Sequence, residues 1–198
     1  MPRTITIVTA DVDRTTLDYY RDLLSRLGHQ VIPADNGRKL VELCRARRPD
    51  LIITDVNLGD GDGIELAAEA NREHAMPVIV VASRYDPEVQ TRARIARVMA
   101  FLVKPVKPED LAAAVDIGLA RFEELQLLQK EMVALRQSLE DRKLLERAKG
   151  VVIRRVGVPE AEAFRNLRRL ASDRNIKLAE LARDVLAAEE IFAELDRL

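Results

Sequence analysis

Three segments of this sequence end on side chains whose types and spacing could do chemistry together. Leu51-Ile-Ile-Thr-Asp55 is a short apolar run that ends on a carboxylate, and the polar, glycine-rich stretch Asn57-Leu-Gly-Asp-Gly-Asp62-Gly63 follows closely. Ile5-Thr-Ile-Val8 leads to Asp11 and Asp13, and Ala100-Phe101-Leu-Val-Lys104-Pro105 carries a lysine. A parallel strand presents its last side chain at the carboxyl edge of a sheet, where open α/β folds bind ligands. Two carboxylates and a lysine gathered at that edge make a site for a divalent cation and a phosphoryl group. The carboxylates ligate the hard cation, and the ammonium pairs with phosphoryl oxygens. Each segment alone is a weak signal; the combination is informative.

The elements that must position these groups follow from the apolar pattern. Short apolar runs at about 4–9, 30–34, 50–55, 77–82 and 100–103 predict strands. Helical periodicity fills about 14–27, 37–47, 63–74 and 87–97 between them. Strict alternation predicts a parallel sheet covered on both faces. Pro108-Glu-Asp starts a further helix, with proline in its first turn and acids at its positive end.

Composition removes several function classes. The chain has 198 residues, 33% charged and 47% hydrophobic, which suits one good domain and a smaller partner. The net charge of −1 gives no global basic field, and aromatics at 4% argue against a stacking platform for single-stranded nucleic acid. A single cysteine excludes a disulfide framework and fits a reducing cytoplasm. Cys44 falls in the apolar-periodic segment Leu40, Leu43, Cys44 and is expected in a core. No long apolar run or signal-peptide pattern points to a membrane, and His29 and His74 lack metal-ligand spacing.

On these residues, roughly 3–120 resemble a response-regulator receiver domain. The resemblance implies a (βα)5 flavodoxin-like fold with Asp55 as phosphoacceptor. It implies Mg²⁺ held by Asp11, Asp55 and the backbone carbonyl of Asn57, with Asp62-Gly63 in the loop that closes over the site. Lys104 would pair with the phosphoryl oxygens, before a proline bond commonly cis in the family, and Phe101 falls at the aromatic switch position. A sensor histidine kinase is the implied partner. The departures are equally specific. The family usually has two adjacent acids after the first strand, where this chain has Ala10 and Asp11; Asp13 lies two residues off register. The hydroxyl switch position holds Ala82, with Ser83 one step late, and one step along a strand changes face. Gly59 stands where a proline is usual, and Arg97 where a glycine is usual.

The helix that starts at Pro108 does not stop where a receiver should. Leu125, Leu128, Met132, Leu135 and Leu139 form an a/d seam over about two heptads, with charged residues on the other faces. A compact receiver has no spare groove for so much extra helix, so a dimeric coiled-coil linker is favoured over packing within one chain. Glu146-Arg-Ala-Lys-Gly150 is expected to end or bend this helix, and Gly157-Val-Pro159 to form a turn before the next. A break at Asn175 and a last helix from Leu178 complete a three-helix unit. Its expected anchors are Val152, Phe164, Leu167, Leu170, Leu181 and Val185.

Charge in this unit is uneven. Arg142 to Lys177 holds eleven Lys/Arg against four Asp/Glu, and Leu178 to Leu198 holds two against six. A basic stretch of that density suits a phosphate-binding face, although a solvated helix surface can look the same. The elements Ala148-Lys149-Gly150, Ala163-Phe164…Leu167-Arg168…Ala171-Ser172 and Ala179-Glu-Leu-Ala182 resemble the ANTAR domain over residues 141–188. That family is an RNA-binding module of transcription antiterminators. The resemblance implies Lys149, Arg168 and Arg174 as RNA contacts, with Ala148, Gly150, Ala163 and Ala171 serving close packing. Phe164 is a stacking candidate but is expected in the core.

The expected organisation is a receiver over 1–120, a coiled-coil linker over 121–140 and an ANTAR domain over 141–198. The expected function is a cytoplasmic, non-enzymatic response regulator. It would bind RNA hairpins in leader transcripts as an antiterminator, under control of Asp55 phosphorylation and homodimerisation. The runner-up is a degenerate receiver gated by a protein partner, motivated by Ala10 and Ala82. A DNA-binding regulator fits less well, because the last helix is acidic where a recognition helix should be basic.

Overall fold

The computed structural model describes residues 4–195 and 197. It divides into two compact units, residues 1–126 and 127–198. In the first, β1 (Thr6–Ala10), β2 (Gln30–Ala34), β3 (Leu51–Asp55), β4 (Val78–Ala82) and β5 (Ala100–Val103) form one sheet. Its order is β2-β1-β3-β4-β5, and every pairing is parallel. Between the strands lie α1 (Arg14–Arg26), α2 (Gly37–Arg47), α3 (Gly63–Ala70) and α4 (Pro87–Ile95), and after β5 comes α5 (Pro108–Val156).

The central strands β3 and β4 are buried at every position, as their unbroken apolar runs require when both faces are covered. Alternation then divides the core in two. Val8, Ala10, Ile52 and Val80 pack with α2, α3 and α4. Ile7, Ile53, Ile79 and Val81 pack with Tyr20 and Leu24 of α1 and with Leu111 and Val115 of α5. Cys44 is a buried member of the first layer, and burial raises its thiol pKa to about 12.

The helices start on short polar caps that follow the strands closely. Asp13, Asn36, Asp62 and Asp86 each accept hydrogen bonds from N–H groups in the first turn of the next helix. Asp60, in the loop after β3, adds a cross-tie by accepting from Gly37 N at 2.7 Å and Arg38 N at 3.0 Å. Gly63 has no room for a side chain, because a Cβ there would overlap the Asp55 carbonyl oxygen. Thus the loop after β3 is tied to α2 at Asp60 and packed closely against β3 at Gly63.

The second unit contains the end of α5 together with α6 (Glu160–Asp173) and α7 (Leu178–Leu195). Its core is Ala148, Val151, Leu167, Ala171, Leu181, Ala182 and Leu186. Two expectations are corrected here. The long helix neither ends nor bends off at Glu146–Gly150 but runs to Val156. A lone helical glycine costs only about 1 kcal/mol relative to alanine, and burial of Ala148 and Val151 on either side outweighs it. The stop comes at Gly157, whose φ of 75° suits a glycine and whose N–H donates to the Ile153 carbonyl. Phe164 and Leu170, expected as anchors, are instead 36% and 39% exposed. The buried stripe of α6 is Ala163, Leu167 and Ala171, and Phe164 lies one residue around from it.

The seam residues Leu125, Leu128, Met132, Leu135 and Leu139 are all between 44% and 66% exposed. Among the described residues none of them joins a hydrophobic core cluster, which leaves the stripe open.

The Asp60 cross-tie gives a pH-dependent prediction. Hydrogen bonds from Arg38 N and Gly37 N hold the Asp60 carboxyl below its usual 3.8. A lowered folded-state pKa means stability present above the unfolded value and lost as pH falls through the folded one. Asp60→Ala should therefore melt lower than wild type near neutral pH, with the gap closing below pH 3.8. Circular-dichroism melts across that range measure it; a gap independent of pH would show that charge has no part in the tie.

Candidate functional site

Asp55 is the last residue of β3, Asp11 follows the end of β1, and Lys104 follows β5. The parallel register brings the three together. Lys104 Nζ lies 2.6 Å from Asp11 Oδ2 and 2.5 Å from Asp55 Oδ2. Each carboxylate spends its other oxygen on backbone: Asp11 Oδ1 accepts from Asp13 N at 2.9 Å, and Asp55 Oδ1 from Asn57 N at 2.7 Å. Both carboxylates are almost fully buried, at 1% and 5% exposure. Two acids in so dry a place need a cation between them. Burial pulls the Lys104 pKa down, but its hydrogen bonds to Asp11 and Asp55 outweigh that and leave it raised.

The same point suits a divalent ion. One cation already sits within bonding distance of both carboxylates, and the donors are hard oxygens. Asp11, Asp55 and the Asn57 carbonyl are the groups that would hold Mg²⁺, and its charge would neutralise a phosphoryl group beside Asp55. Among the described residues no group of three or more Asp, Glu, His or Cys side chains is placed to hold a metal ion. The remaining ligands would be water, which Mg²⁺ tolerates.

The other predicted residues separate. Asn57 is exposed, with its side-chain oxygen accepting from Gly59 N, in a bridge opposite Asp62. The Lys104–Pro105 peptide is cis. Phe101 is half-buried against the α2/α3/α4 layer and lines a cavity of about 480 Å³ with Gln90, Thr91 and Arg94. Ala82 is buried at the end of β4, while Ser83, one step on, is exposed. Asp13 does not stand in for the missing acid. Its carboxylate caps α1 through Thr15 N, Thr16 N and the Thr16 hydroxyl, and that last bond does most to lower its pKa.

One contact at the rim escapes sequence reasoning. Arg92 of α4 pairs with Asp62 Oδ2 at 2.7 Å while Asp62 Oδ1 caps α3. Nothing in the spacing of residues 62 and 92 signals this pair; it requires the fold.

In the second unit the basic residues fall into two groups. Arg154 and Arg155 lie against Glu189 of α7, and Arg155 also covers the Phe192 ring at 5.5 Å. Lys149 bonds both Glu146 and Glu160 at 2.8 Å, and its side chain is only 11% exposed. Those two carboxylates, Glu146 first, raise its pKa. By contrast, Arg165, Arg168 and Arg169 of α6 are exposed, as is Arg174 at its C-cap. None of these four makes an ion pair among the described residues. Glu160, Phe164 and Arg168 stand one turn apart along α6, so the exposed ring lies between the carboxylate that holds Lys149 and an unpaired arginine.

Comparison with known proteins covers both units. Residues 7–116 match the response regulator receiver domain family, and residues 133–186 match the ANTAR domain. The chain is 36% identical over 166 residues to the transcriptional regulatory protein PdtaR of Mycobacterium tuberculosis, covering 83% of this chain and 81% of that one. It is 33% identical over 123 residues to the transcriptional regulatory protein AfsQ1 of Streptomyces coelicolor, covering 62% and 53%. A CheY-like response regulator receiver domain from Methanospirillum hungatei superposes with a TM-score of 0.58 at 25% identity, covering 62% of this chain and 98% of that one.

Two stability predictions follow from the geometry. Lys104→Met leaves two buried carboxylates without their cation. It should destabilise the chain towards the lower end of about 3–5 kcal/mol, since Lys104 keeps 25% of its side chain exposed. Urea denaturation should show added Mg²⁺ restoring part of that loss. In the second unit Leu167→Ala should cost about 2–5 kcal/mol, whereas Phe164→Ala should cost about 1 kcal/mol or less, being half out of the core. Equal losses would return Phe164 to a packing role.

Proposed function

Since the chain belongs to the response-regulator family and joins a receiver domain to an ANTAR domain, we propose that it is an RNA-binding transcription antiterminator controlled by phosphorylation of Asp55 and by dimerisation. A sensor histidine kinase would supply the phosphoryl group. On Asp55 that group adds nearly two negative charges beside Lys104, enough to draw the lysine away and reorder the acceptor loop. The exposed seam from Leu125 to Leu139 would join two copies, and their two output domains would hold paired RNA hairpins in a leader transcript.

The observation that carries the RNA half is the unpaired arginine face of α6. The acidic end of the chain neutralises Arg154 and Arg155 but leaves Arg165, Arg168, Arg169 and Arg174 without ion pairs among the described residues. Sequence-specific RNA readers favour hairpin loops with splayed bases, contacted by Arg and by stacking. Arg168 and Arg174 are assigned to phosphate. Phe164, exposed one turn from Arg168, is assigned to stacking. Lys149 joins them only after leaving Glu146 and Glu160, so its contribution depends on the RNA outcompeting those carboxylates.

A second reading keeps the same output but gates it by a protein partner. Its support is that Ala10 and Ala82 remove an acid and a hydroxyl, and that neither Asp13 nor exposed Ser83 replaces them.

RNA hairpins selected in vitro against the full-length chain test the output reading. Arg168→Ala should weaken binding and lower the salt slope by about 0.9 for each lost phosphate contact, with melting changed by less than about 0.5 kcal/mol. Phe164→Leu should cost about 1–3 kcal/mol of affinity if a base stacks on the ring. Leu128→Lys with Leu135→Lys should give a monomer by light scattering. Duplex DNA bound as tightly as the selected hairpins would overturn the RNA reading.

A further inference from the structure

Tyr20 of α1 is 2% exposed, yet its hydroxyl oxygen is sealed from solvent with no hydrogen-bond partner among the described residues. A buried hydroxyl without a partner costs stability, and phenylalanine would fill the same volume without that cost. Packing alone therefore does not account for the oxygen.

Its position does. Alternation along the strands puts Asp11 on the same face as Ile7, and Asp55 on the same face as Ile53. Ile7, Ile53 and Tyr20 share one core cluster, so Tyr20 packs on the face from which both carboxylates project. Tyr20 and Lys104 also line one cavity of about 620 Å³, with Thr16, Tyr19, Pro105 and Val106. Burial first, then the fields of Asp11 and Asp55 in that order, push the phenol pKa upward. The group therefore keeps its proton and stays a donor.

We propose that Tyr20 is a positioning residue whose hydroxyl donates to the Asp11 carboxylate once Lys104 leaves it. In the present arrangement Lys104 satisfies Asp11 Oδ2 at 2.6 Å, and the phenol has nothing to do. When Lys104 turns to a phosphoryl group, Asp11 loses that donor while it must still ligate the cation. A fixed phenol on the same face fills the gap and holds the carboxylate in its ligating orientation. It supplies from α1 the kind of support that Ala10 cannot supply from β1. The phosphoryl part of this proposal rests on the phosphoacceptor reading above; the Asp11 part does not.

Tyr20→Phe in the full-length chain tests it through two independent readouts. Without Mg²⁺, the variant should melt at or above the wild-type temperature, because an unsatisfied hydroxyl has been removed. Mg²⁺ affinity by calorimetry should fall about tenfold, the lower end of what loss of a ligand-orienting hydrogen bond produces. The rate of adduct formation with acetyl phosphate, read by intact mass, should fall with it. Unchanged Mg²⁺ affinity, with or without a lower melting temperature, overturns the proposal and makes Tyr20 a core residue. If wild type binds Mg²⁺ but forms no adduct, the phosphoacceptor reading fails, and a weaker Mg²⁺ affinity in Tyr20→Phe still upholds the positioning role. Wild type that binds no Mg²⁺ overturns it.

Discussion

The ion-paired contact of Lys104 with two buried carboxylates is the constraint around which the first unit is organised. Asp11 and Asp55 reach the same point only because β1 and β3 pair in parallel and end at the same edge. Lys104 reaches it because β5 pairs with β4 and ends at that edge too. The apolar layers on both faces hold the strands in that register and exclude water from the carboxylates. Exclusion of water is what makes the lysine necessary, and it also makes the site responsive. Any group that draws Lys104 away must bring a cation with it or leave two dry charges unpaired.

The second unit solves a different electrostatic problem with a smaller core. Alanines at 148, 163, 171 and 182 let three helix segments approach closely, and Leu167, Leu181 and Leu186 fill what remains. Small buried residues leave the longer side chains of α6 outside, Arg165, Arg168 and Arg169 among them, without ion pairs among the described residues. Helix α5 supplies core residues to both units, Leu111, Ala114 and Val115 to one and Ala148 and Val151 to the other. Between these stretches it carries an exposed apolar stripe with no packing partner among the described residues. On the proposed reading that stripe is where the state of the pocket becomes a state of assembly.

Strand-terminal chemistry is legible in the sequence because a strand's last residue is forced to the sheet edge whatever surrounds it. Asp11, Asp55 and Lys104 can thus be grouped from the apolar runs alone, and strand and helix limits fall within a few residues of those the pattern predicts. Side chains whose role depends on a neighbouring element are not legible in this way. Phe164 resembles core because apolar residues on short helices usually are; the true stripe is written in the four-residue spacing of Ala163, Leu167 and Ala171. Gly150 resembles a helix end because its local cost is visible in the sequence and the packing of Ala148 and Val151 is not. Half of the Lys149 pairing is legible, since Glu146 lies three residues before it on the same helix; the other half is not, because Glu160 lies on another helix. Tyr20 passes as one more amphipathic-helix residue, since nothing local distinguishes a sealed hydroxyl from a solvated one.

The central claim is that chemistry at Asp55 controls RNA engagement through assembly. Its most direct test is a paired measurement of molar mass and hairpin affinity on the full-length chain, before and after acetyl phosphate and Mg²⁺, for wild type and Asp55→Asn. The account predicts that wild type alone gains a phosphoryl adduct, shifts to dimer and binds the hairpins more tightly. An adduct on wild type that changes neither mass nor affinity, or an equal response from Asp55→Asn, would contradict it.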